Sequence, residues 1–290
     1  MFNDISSHSE WARVAPDKVV VASADRVWLY QPSSGNSSDL FAQPMSGAGS
    51  VATTQKLLDT SIVLAKRAVS SSRPPALSLM LWIWNLAAQY HLTHSVPQLM
   101  EEAAQRFATS GREALAQWAA QKAIEERGHD RLALLDIQSL GYDAKAVVQA
   151  LVPPPAQVLF DYFTRSVQTP DPIACVGYSY TQERLALAIG DERIQAVETL
   201  LPPGTNATRF LRVHSGVGSD VEHVQESVEM VAGLTPEERT RVAIACYETA
   251  LLYFSSSQKG YPSDEELQQI LEPLALHPQP QEESDCLLLR

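Results

Sequence analysis

The chain has 290 residues, 45% of them hydrophobic, and a formal net charge of −12. That is enough apolar content for a substantial core. The acidic balance, which no run of Lys or Arg offsets, excludes the basic face that a nucleic-acid partner demands. Three well-separated cysteines, Cys175, Cys246 and Cys286, have no spacing for a zinc site or a disulfide framework, so a reducing cytoplasm is the expected location.

Residues 1–50 read as an arm and linker. The polar stretch 1–15 makes no secretory signal. Val19-Val20-Val21 and Arg26-Val27-Trp28-Leu29-Tyr30, parted by an Ala-Asp turn, predict a small β-hairpin or an extended arm. Residues 31–50, rich in Ser, Gly and Asn, read as loop.

From Val51 the pattern is helical, and residues 51–275 are predicted to form one helical bundle domain. Apolar positions Leu57, Leu58, Ile62 and Ala68 follow a helical period over 53–71. Pro74-Pro75 restarts the chain into an apolar helix over 76–91, too short to span a membrane. The part around Leu79–Leu86 serves either as core or as a homodimer contact. A further helix follows Ser95-Val96-Pro97. Ser110 is predicted to cap one long helix running through Trp118 and His129 toward Leu140, with Gly141 as its stop. Helices are then expected over 156–166, from Pro172 to near Gly190, and over 191–200, 205–214, 220–232 and 236–255, the last behind a Thr235-x-x-Glu238 cap. Residues 276–290, rich in Pro, Gln and Glu, form a flexible tail. The expected fold class is all-α.

Three stretches of this bundle carry acids and imidazoles at helical spacing: Glu125-Glu126-Arg127-Gly128-His129, Gly177-Tyr-x-Tyr-x-x-Glu183, and His214 followed by Asp220-Val221-Glu222-His223. Residues three apart on a helix differ by about 60° in direction, so Glu126 and His129, and Asp220 and His223, can each serve one ion. Glu183 lies in an otherwise apolar or small-residue stretch, where a charge is costly unless paired or metal-bound. Together these residues offer about six oxygen and nitrogen ligands, the inventory that a pair of iron ions needs inside a helical bundle. Both Glu125 and Glu126 can reach the partner of His129; Glu126 is preferred, with Glu125 bridging or supporting. Asp136, seven residues beyond His129, is placed to orient an imidazole.

These motifs resemble the heme-oxygenase-like diiron oxidases, which share a fold with thiaminase-like and pyrroloquinoline-quinone-synthase-like proteins. The resemblance covers about residues 51–257 and implies a bundle of about seven core helices. Transferred position by position, it implies metal ligands at Glu126 with His129, at Glu183, and at His214 with Asp220 and His223. It also implies two ferrous ions per chain, dioxygen as co-substrate, and oxidation of a small molecule: N-oxygenation, desaturation or oxidative C–C cleavage of an amino acid, amine or fatty acid, in specialised metabolism. The family's third helix spaces its first His and Asp more closely. Here six positions separate His214 from Asp220, which on an unbroken helix sets them about 120° apart; Gly216 and Gly218 suggest an interruption that lets them converge.

Trp82, Trp84, Trp118, Tyr178 and Tyr180 are candidate pocket walls, and Arg184 and Arg212 candidate holders of a substrate carboxylate. Competing readings are a metal-free thiaminase-like enzyme using Cys175 or Cys246, a helical interaction or regulatory protein, and a ferritin-like diiron protein. The last needs two Glu-x-x-His motifs, and this chain has one.

Overall fold

Three short antiparallel strands precede the helices in the order β1 (Glu10–Ala15), β2 (Lys18–Ala22), β3 (Val27–Tyr30). The computed structural model describes residues 9–32, 41, 45, 47–69, 75–215, 220–256 and 261–276, with Asp220 and Ser256 described for their backbones only. The predicted tail from His277, with Cys286, lies outside the described residues. β2 and β3 form the hairpin expected from the sequence, pairing Val19 with Tyr30 and Ala22 with Val27. The sequence reading assigns no strand to β1; its alternation shows only against the bundle, where Glu10, Ala12 and Val14 turn inward.

An inward Glu cannot stand as a bare charge in a core. Glu10 Oε1 meets Arg239 Nε at 2.6 Å, and its other oxygen accepts from the hydroxyls of Thr53 and Thr54. That fully buried pair fastens the sheet to the helices on either side of it. Ala12, Val14, Val20 and Ala22 complete the contact, while Val19 and Val21 face outward against Phe41, Trp11, Trp28 and Tyr30.

The helices are α1 Val51–Ala68, α2 Leu79–Thr93, α3 Val96–Thr109, α4 Glu113–Glu125, α5 His129–Ser139, α6 Ala144–Ala150 and α7 Pro154–Gln168. They continue as α8 Ala174–Ala186, α9 Asp191–Glu198, α10 Arg209–Val213, α11 Asp220–Ala232, α12 Pro236–Ser256 and α13 Asp264–Leu271. Most starts are chemically evident. Ser50 and Ser263 form capping boxes, Ser78 and Asp143 cap through their side chains, and Pro97 sits at the head of α3.

Two expectations are corrected. The long helix from Ser110 to Leu140 is divided into α4 and α5, and Ser110 closes α3 instead of capping α4. The helix expected over 205–214 shrinks to the five residues of α10, and α6 and α13 were not anticipated.

Two hydrophobic cores result. One joins the sheet to α1, α3, α4, α7, α8, α11 and α12; the other gathers α2, α5, α6, α9, α10 and α13. The α4–α5 break is one of the places where the chain crosses from the first core into the second. Among the described residues, no helix is long and apolar enough to cross a membrane.

Candidate metal centre

Gly128, at φ +87°, breaks the helix between Glu126 and His129, a conformation that a side chain disfavours. Glu126 ends α4 and His129 begins α5, so the expected convergence survives although the unbroken helix does not. Glu126 Oε2 lies 2.9 Å from His129 Nδ1. His214, at the end of α10, brings its ring edge-on to that of His129, with centroids 4.6 Å apart. One ligand atom from each of Glu126, His129 and His214 falls within 4.8 Å of the other two. Two ligands each about 2.1 Å from one divalent ion stand at most about 4.2 Å apart, so closure on an ion needs only a sub-ångström adjustment. Burial pushes the Glu126 carboxyl up, but the His129 hydrogen bond and the charges of His214, His129 and Lys122 outweigh it and hold the group below the usual carboxylate value. A charged carboxylate with two imidazoles is a donor set suited to ferrous iron.

α10 is too short to hold His214 by its own helical hydrogen bonds. Asp136 of α5 anchors it. This fully buried carboxylate accepts from the backbone N–H of Arg209 at 3.2 Å and of Phe210 at 3.0 Å, and from Arg209 Nη1 at 3.0 Å. Asp136 was expected to orient an imidazole directly; it instead holds the start of the helix that presents one. Phe210 packs against the His214 ring at 4.6 Å, and Trp82 Nε1 donates to Ala207 O at 3.0 Å, fixing the approach to α10.

The remaining candidates gather around a residue that the sequence reading passed over. Glu183, buried on α8, lies 3.0 Å from Lys122 Nζ; Glu125 Oε2 lies 3.0 Å from the same nitrogen, and His223 Nε2 is 3.4 Å from that Glu125 oxygen. Burial alone would depress the Lys122 ammonium, but Glu183 and Glu125 outweigh it and raise its pKa above the ordinary lysine value. The available signal was a lone lysine one turn before Glu125 and Glu126 in an Ala-rich stretch, a pattern that usually marks a solvated pair. The Asp220 side chain and the loop carrying Gly216 and Gly218 lie outside the described residues. α10 and α11 are separate helices.

Lys122, Glu126, Glu183 and His214 open onto one cavity of about 170 Å³, walled by Trp82, Leu92, Met100, Phe163, Tyr178, Ile189 and Phe210 among others. Trp82 and Tyr178 therefore line it as expected. Trp118, Trp84 and Tyr180 do not: Trp118 donates toward Ser227, Trp84 packs on Tyr261, and the Tyr180 hydroxyl donates to Asp59. Arg184 pairs with Asp59 and Arg212 with Glu198, so neither proposed carboxylate holder faces the cavity. Cys175 and Cys246 are fully buried away from it; burial raises both thiols, Cys246 to about 12, and a protonated thiol is a poor nucleophile.

A family model described as iron-containing redox enzyme matches residues 83–254, a span that holds Lys122, Glu125, Glu126, His129, Glu183, His214 and His223. The chain belongs to that family. Among solved structures, it is similar to a domain of unknown function with a heme oxygenase-like fold from Shewanella denitrificans OS217, at 21% identity and TM-score 0.52, over 76% of this chain and 89% of that one. It is also similar to a TenA homolog from Pseudomonas syringae pv. tomato str. DC3000, at 12% identity and TM-score 0.51, over 74% of this chain and 99% of that one. No curated protein matches it. At these identities the structures establish the fold, which is heme oxygenase-like, with the small three-stranded sheet added at its N-terminal side.

Proposed function

We propose that this family member is a non-heme iron enzyme that uses dioxygen to oxidise a small organic molecule, an amino acid, amine or fatty acid with an apolar portion. The observation that carries the reading is the convergence of Glu126, His129 and His214, of which Glu126 and His214 open onto an otherwise largely apolar cavity. Two imidazoles and a carboxylate that leave coordination positions open are the donor set of oxygen-activating ferrous sites. Iron bound there supplies the one-electron chemistry that dioxygen needs.

The chain's own residues do the rest. Glu126 provides the compensating charge, and binding exchanges its hydrogen bond to His129 for ligation by both groups. Leu92, Met100, Phe163 and Ile189 exclude water and receive the apolar part of the substrate. A cavity of about 170 Å³ is smaller than the roughly 300–1,000 Å³ of sites for drug-sized ligands, which points to a compact substrate or a short segment of a longer one.

The test is oxygen uptake after anaerobic loading with ferrous iron, screened over amino acids, amines and fatty acids, with iron content measured on the same sample. The proposal expects substrate-dependent uptake that requires iron and is lost in His129→Ala and His214→Ala. Absence of iron binding, or uptake indifferent to both substitutions, refutes it.

A further inference from the structure

A centre for two ions needs a second group of donors beside the triad. Those the described residues offer are Glu125, Glu183 and His223, and they already surround a cation. Lys122 Nζ stands 3.0 Å from Glu125 Oε2 and 3.0 Å from Glu183 Oε1, and its side chain is only 4% exposed. His223 closes the group through the same Glu125 oxygen at 3.4 Å. Lys122 belongs to α4, one turn before Glu126, so its backbone is fixed by the helix that delivers the triad's carboxylate.

Position and charge both favour a single ion. Among the described residues, three carboxylates (Glu125, Glu126 and Glu183) face one ammonium, leaving two negative charges. One divalent ion at the triad neutralises them. A second would have to stand beside the ammonium, and ammonium and metal repel strongly where the local dielectric is low.

We infer that the Lys122 ammonium takes the place of the second iron, so that the protein holds one divalent ion, at Glu126, His129 and His214. This rests on the iron reading of the triad. Lys122 then serves as a non-redox counter-charge that holds Glu125 and Glu183 directed inward, and it presents a hydrogen-bond donor at the cavity wall.

The experiment is anaerobic equilibrium dialysis of the full chain against Mn(II) and Fe(II), followed by elemental analysis, with electron paramagnetic resonance of the Mn(II) form. The expected result is one ion per chain and the spectrum of an isolated Mn(II). Lys122→Ala removes the cation and opens its space; it is expected to take two ions and show an exchange-coupled pair. Lys122→Arg, which keeps the charge, is expected to remain at one. Two ions in the unaltered protein, or a folded Lys122→Ala variant that still takes one, overturns the inference. If Lys122→Ala does not fold, the count and spectrum of the unaltered protein still decide between one ion and two. No uptake of either metal overturns the iron reading together with this one.

Discussion

Replacing Asp136 with Ala tests how the centre is held without touching a ligand. The carboxylate accepts three donors, and two are backbone N–H groups at the start of a five-residue helix. Hydrogen bonds to a charged acceptor are worth about 1.5–3 kcal/mol each, and removing the acceptor leaves the two backbone donors facing a small cavity. The Arg209 contribution is discounted because its side chain is one-third exposed. The expected loss is therefore about 3 kcal/mol, above the roughly 1 kcal/mol of an ordinary solvent-facing cap. Asp136→Asn keeps one acceptor oxygen and should lose less. Urea denaturation reads the effect as a lower midpoint at unchanged slope. Because α10 carries His214, Mn(II) affinity should fall about 10–100-fold in the same variant, the range seen when groups supporting metal ligands are removed. A midpoint unchanged within error refutes the anchoring role. A lowered midpoint with unaltered Mn(II) affinity refutes the claim that anchoring positions His214.

Gly177→Ala should destabilise by about 2–3 kcal/mol in a thermal or urea melt, because the added Cβ would stand 2.5 Å from Val242 O and 2.6 Å from Ala245 Cβ. Helix α8 cannot back away without displacing Glu183, so wild-type stability in this variant would contradict the packing of α8 on α12. Arg239→Ala leaves Glu10 buried without its cation, held only by the Thr53 and Thr54 hydroxyls, and is expected to cost about 3–5 kcal/mol; a loss below about 1 kcal/mol would show that the sheet is not fastened there. Burial raises the Asp171 carboxyl, but Arg241 and Arg112 outweigh it and hold its pKa below the ordinary value. Its ionised form thus stabilises the fold above about pH 4, and that contribution disappears as pH falls through the lowered value. Asp171→Asn should be less stable than wild type at neutral pH and converge with it in acid; a constant difference down the titration would refute the assignment.

How much of this was legible in the sequence depends on whether a feature is local. The hairpin, the capped helix starts and the pairing of Glu126 with His129 all follow from residues a few positions apart. Glu183 was legible as a buried acid because its neighbours are apolar or small. β1 was not, since its inward face reveals itself only against α1 and α12, and α6 and α13 are too short to show a helical period. The division of the long helix at Gly128 is a case of local chemistry underweighted: the helix expected from Ser110 toward Leu140 runs across a glycine one residue before His129, and that glycine is where it breaks. Arg184 and Arg212 were assigned to the cavity without knowledge of Asp59 and Glu198, which are distant in sequence or on another helix and neutralise them. Lys122 was missed for the opposite reason. Its spacing from Glu125 looks like a surface ion pair, and only the approach of α8, with Glu183, turns it into a buried one.

The placement of the centre explains why its ligands come from helix ends. A bundle that buries two separate cores must pass chain between them, and such passages place residues at helix ends. Glu126 and His129 flank one such interruption and His214 stands at another, where α10 stops after five residues. A ligand at a helix end is held less firmly by its own backbone than one in mid-helix, so each needs an anchor from elsewhere: Asp136 for α10, and the Gly128 turn for the α4–α5 junction. Glu125, the last residue of α4, and Glu183, within α8, already meet a cation of the chain's own. The triad, whose ligands stand at helix ends, is the group placed to close on an ion, while Glu125 and Glu183 already face the positive charge of Lys122.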